Sequence, residues 1–84
     1  MLLEVALAAV LANTPLDTLT SLYWDCDALY MTQKMGGEDF ARCLSITYRL
    51  QEDMFNNDMS RFGRWWEQNH LEQWRIRGYA PRDG

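Results

Sequence analysis

The chain has 84 residues, 48% of them hydrophobic and 13% aromatic, with a formal net charge of −4. That length allows one domain with a modest core, and the apolar content excludes a disordered, charge-dominated chain. A net negative charge argues against general affinity for nucleic-acid phosphates, although the charge is unevenly spread. Residues 1–60 carry Lys34, Arg42 and Arg49 against nine acids, a balance of −6, whereas 61–84 carry five arginines against Glu67, Glu72 and Asp83, a balance of +2.

Strand signals are nearly absent, with two valines, two isoleucines and no sustained apolar–polar alternation. The pattern predicts an all-α fold, a small compact bundle of about four helices spanning residues 1–78, with 79–84 as a loose tail unless Tyr79 docks. The first segment, about Leu2 to Ala12, places Leu3, Leu7, Val10 and Leu11 among alanines. Val10 and Ala12 are small residues placed as a signal peptidase prefers. No cation precedes the run, however, and Glu4 interrupts it, so it reads as a core helix of a cytoplasmic protein. It is also too short to span a bilayer.

Thr14, Pro15, Leu16 and Asp17 predict the next helix start, with Thr14 as N-cap and proline in the first helical position. That helix can run to Met35, burying Leu16, Leu19, Tyr23, Cys26 and Tyr30, with Leu22 and Leu29 widening the stripe and Gly36–Gly37 ending it. Glu38 and Asp39 then suit the positive end of a third helix. Its stripe is Phe40, Cys43, Leu44, Thr47, Leu50 and Met54. Asn56, Asn57 and Asp58 break the pattern and supply a cap for a fourth helix from about Met59. Residues 59–77 form either one helix or two joined at Asn69, where Asn69 to Glu72 resemble a second capping box. Gly78 is the expected C-cap.

Catalytic and ligand-binding patterns do not emerge. Asp25 and Asp27 are two apart on different helix faces and read as solvated surface, as do the adjacent pairs Glu38–Asp39 and Glu52–Asp53. His70 is the sole histidine, and with two distant cysteines it gives no metal-ligand spacing. Gly36–Gly37 lacks the strand and lysine of a phosphate-cradling loop. No cofactor is implied. Cys26 and Cys43 read as free, half-buried thiols, with a bridge between adjacent helices as the alternative. A thiol enzyme or redox sensor would need a depressed thiol pKa that no motif supports.

The arginine and tryptophan cluster carries the functional colour. Trp and Arg are enriched in binding hot spots, and Trp65 and Trp66 diverge by about 100° on a helix, so both fit one core face only if it is broad. The competing reading is that these aromatics are simply the core face, with arginines snorkelling outward. Met31, Met35, Met54 and Met59 read first as gap-filling core and second as a plastic binding face. The expected function is a non-enzymatic protein-interaction module, a small inhibitor, adaptor or assembly factor that docks on a larger protein or on a second copy. Small accessory proteins of phage and other mobile elements share this general character. Arg61, Arg64, Trp65, Trp66 and Arg75 are the expected contact residues, and a nucleic-acid binder using the same segment is the alternative.

Overall fold

The computed structural model describes residues 14–32 and 35–79. These form three helices, α1 (Leu16–Met31), α2 (Gly37–Phe55) and α3 (Met59–Ile76), and no strand. The all-α class therefore holds, with three helices among the described residues where the sequence suggested about four in the chain. The segment expected at Leu2 to Ala12 and the tail beyond Tyr79 lie outside those residues.

Helix α1 starts one residue later than the sequence suggested. Pro15, at φ −59° and ψ 151°, takes the cap position in place of Thr14. Its carbonyl accepts from the Leu19 N–H at 2.9 Å, and its missing N–H costs nothing where no intrahelical acceptor exists. The helix also stops at Met31, well before Met35. Thr32 closes it, its hydroxyl donating to the Leu29 carbonyl at 2.6 Å, a local bond that competes with helix continuation. Gly36 then takes an extended conformation as the N-cap of α2, so the glycine pair opens the second described helix instead of ending the first.

The turn between α2 and α3 follows the expected chemistry. Asn56 adopts the left-handed conformation at φ 51°, and the Asn57 N–H returns to the Gln51 carbonyl at 2.8 Å. This wrap satisfies carbonyls that the helix end leaves open. Asp58 caps α3, its Oδ1 accepting from the backbone N–H groups of Ser60 and Arg61 at 3.1 and 3.2 Å. Helix α3 runs unbroken through Gly63 and Asn69, which decides between one helix and two. Instead of capping a new helix, the Asn69 amide donates to the Trp65 carbonyl at 2.7 Å, one turn back in the same helix. Gly78, at φ 82°, terminates the wrap that carries the Tyr79 N–H to the Trp74 carbonyl. Tyr79 packs edge-on against Trp74, with centroids 5.3 Å apart, so the chain is docked at least that far.

Each helix touches both others. The core is Leu19, Tyr23, Trp24, Cys26, Cys43, Ile46, Leu50 and Phe55, with Phe62, Trp65 and Trp66 packed on it. This corrects both expected stripes. In α1, Leu16 and Tyr30 are exposed while Trp24 and Ala28 are buried; in α2, Phe40 is exposed while Ile46 and Phe55 are buried. The reason is geometric. A stripe drawn on one helix assumes one neighbour, whereas α1 meets α2 on one side and α3 on another, which turns Trp24 onto Trp65.

The cysteines are bridged. Cys26 on α1 and Cys43 on α2 form a disulfide with Cα atoms 5.6 Å apart, which overturns the free-thiol expectation and removes the nucleophile a thiol enzyme would need. Among the described residues, no helix is long and apolar enough to cross a membrane.

Candidate functional site

Helix α3 separates the expected contact residues onto two faces. Trp65 and Trp66 both lean inward and are half-buried. The Trp65 indole lies in an aromatic cluster, 4.8 Å from Trp24, 5.2 Å from Phe55 and 5.6 Å from Tyr23 between ring centroids. Trp66 stacks flat on His70 at 3.9 Å and meets Trp74 edge-on at 5.9 Å. His70 sits one turn on, its Nδ1–H donating to the Trp66 carbonyl at 2.9 Å, a bond that fixes the ring in the stack.

The arginines point the other way. Arg61, Arg64, Gln68, Leu71 and Arg75 share one outward face, because spacings of three and four residues return to nearly the same side of a helix. Arg75 is engaged by Glu72 at 2.7 Å, and this contact raises its already high pKa, hydrogen bonding first and charge second. Arg61 and Arg64 are exposed, and their side chains enter no ion pair among the described residues. Leu71 and Ile76 leave apolar surface exposed on the same helix.

Two groups that the sequence hid organise the interior side. Asp27 is not solvated surface. Its Oδ2 accepts from the Trp74 indole at 2.7 Å and the Trp66 indole at 3.2 Å, and its Oδ1 accepts from the Tyr23 hydroxyl at 3.5 Å. Burial, and then the adjacent Asp27 charge, push the Tyr23 phenol well above its ordinary value, so it stays protonated as a donor. Arg77 ties the end of α3 to α1, reaching Asp25 at 2.7 Å and the Ser21 carbonyl at 3.1 Å. Asp25 and Asp27 therefore diverge as expected, toward different partners.

Asp39, Glu52, Asp53 and Glu72 belong to local ion pairs. Asp39 meets Arg42 at 2.6 Å, and Asp53 meets Arg49 at 3.5 Å. Among the described residues, no three His, Cys, Asp or Glu side chains gather as metal ligands would. Comparison with protein-family models, with curated proteins and with solved structures gave no match.

Proposed function

We propose that this chain is a non-enzymatic protein-interaction module that docks on a larger protein, as an inhibitor, adaptor or assembly factor, through the outward face of α3. The observation that carries the reading is the pair Arg61 and Arg64, exposed one turn apart and engaged by no acid of the described chain. Leu71 extends this face with apolar surface. Arginine combines planar hydrogen bonding with weak hydration, which suits an interface with partner carboxylates. Trp65 and Trp66 support the face from beneath, since their rings hold α3 against the core. The Cys26–Cys43 bridge favours an oxidising compartment over the cytoplasm, where thiols are kept reduced.

The test is affinity capture from the source organism with the tagged chain, with and without nuclease, beside the double variant Arg61→Glu/Arg64→Glu. The expected result is a discrete protein that survives nuclease and is lost with the variant. Capture that nuclease abolishes, with affinity falling steeply as salt rises, would favour the nucleic-acid reading instead. Equal capture by both proteins would remove α3 from the interface.

A further inference from the structure

A concavity of about 230 Å³ opens between α1 and α2 beside the Cys26–Cys43 bridge. Tyr23, Tyr30, Phe40 and Phe62 supply aromatic walls, and Asp27 supplies one carboxylate. Tyr30 and Phe40 are 61% and 48% exposed, so a ligand reaches the walls without opening the core. The volume falls below the roughly 300 Å³ at which drug-sized pockets begin, which suits a single headgroup.

Among the described residues, no cation compensates the charge of Asp27. Its three donors, two indoles and a phenol, are neutral, and it enters no ion pair among the described residues. These hydrogen bonds orient the carboxylate but bring no positive charge to it, and the four aromatic rings that line the same concavity carry electronegative faces. The complement that this charge calls for is a cation. A metal ion would need several oxygen ligands, and among the described residues one carboxylate lines this concavity. A bare ammonium would bring three N–H donors to a carboxylate already accepting three bonds. An alkylated ammonium brings no such demand, because its positive charge is spread over methyl groups that rest on aromatic faces.

We propose that this concavity binds an alkylated ammonium group, with Asp27 supplying the countercharge and Tyr30 and Phe40 the outer walls. The group is carried either by a free small molecule or by a methylated lysine of a peptide.

The test is calorimetric titration of the full, disulfide-bonded chain at constant ionic strength. The probes are tetramethylammonium, a trimethyllysine peptide, and the neutral carbon isostere 3,3-dimethylbutanol. Saturable binding of the cations is expected, about tenfold or more tighter than the isostere, with Asp27→Asn and Phe40→Ala each weakening it about tenfold. Phe40 is exposed, so its variant keeps the test valid should Asp27→Asn disturb the fold. Tighter binding of the peptide would assign the group to a protein, and equal binding to a free molecule; either supports the site. Absence of saturable binding by both cations, equal affinity for the isostere, or unchanged binding in folded Phe40→Ala would overturn it.

Discussion

Reducing the Cys26–Cys43 bridge should remove much of the stability of this domain. The cysteines lie 17 residues apart in sequence, and cross-linking a loop of that length withholds about 3 kcal/mol of chain entropy from the unfolded state. The two residues are 9% and 8% exposed, so the freed thiols would stay packed as small apolar groups and the loss falls mainly on the cross-link. A core of this size supplies only about 3 to 5 kcal/mol in net terms, so the two quantities are comparable. Urea denaturation followed by tryptophan fluorescence, with and without excess dithiol, reads the effect. At a slope of about 1.5 kcal/mol/M the midpoint should fall by about 2 M. The double variant Cys26→Ala/Cys43→Ala should show a lowered midpoint and no further response to dithiol. An unchanged midpoint on verified reduction would show that the unfolded chain is not loosened by the missing link, and the entropic argument would fail.

How far the sequence disclosed this arrangement depended on the range of each interaction. The ends of helix α3 were legible because their signals are local, Asp58 three residues before Arg61 and Gly78 just past the last turn, whereas its continuity through Asn69 was left open until the Asn69 amide was seen to bond back to Trp65. The helix class followed equally from the shortage of β-branched residues. The rotation of α1 and α2 about their axes was not legible, since Trp24 and Ile46 become core only when a second neighbouring helix is known. Nor could spacing decide whether Cys26 and Cys43 pair, because a separation of 17 residues crosses a helix boundary and obeys no periodic rule. Asp27 was misread for the same reason. Its indole partners lie 39 and 47 residues away, and nothing beside it in sequence distinguishes it from Asp25. One signal was available: Trp66, His70 and Trp74 recur every four residues, a spacing that stacks rings along one face. That stripe is the half of the arginine and tryptophan cluster which turns inward.

Alkali should destabilise the fold through Tyr23. Its folded-state pKa lies above the ordinary 10.0 because of burial first and the Asp27 charge second. The folded state thus holds the phenolic proton more tightly than the unfolded state, and stability present below pH 10 is lost as pH rises further. Tyr23→Phe should flatten that decline in a stability-versus-pH series, and an identical slope would assign the loss to other groups. The sharper test contrasts two acids that sequence alone treats alike. Asp25 is 61% exposed at its side chain, and Arg77, its 18% exposed partner, keeps its bonds to Gln73 and the Ser21 carbonyl without it, so Asp25→Ala should cost about 1 kcal/mol. Asp27→Ala strips the acceptor from Trp74, which at 5% exposed is shielded from solvent, and from the half-buried Trp66 and the Tyr23 hydroxyl. A buried donor left without a partner costs about 1 to 3 kcal/mol, so the loss should reach about 3 kcal/mol, with Trp74 the largest contributor. Asp27→Asn should recover part of it, because the amide oxygen still accepts from one indole. Equal denaturation midpoints for Asp27→Ala and Asp25→Ala would mean that the indoles find other acceptors, and that Asp27 does not join α1 to α3.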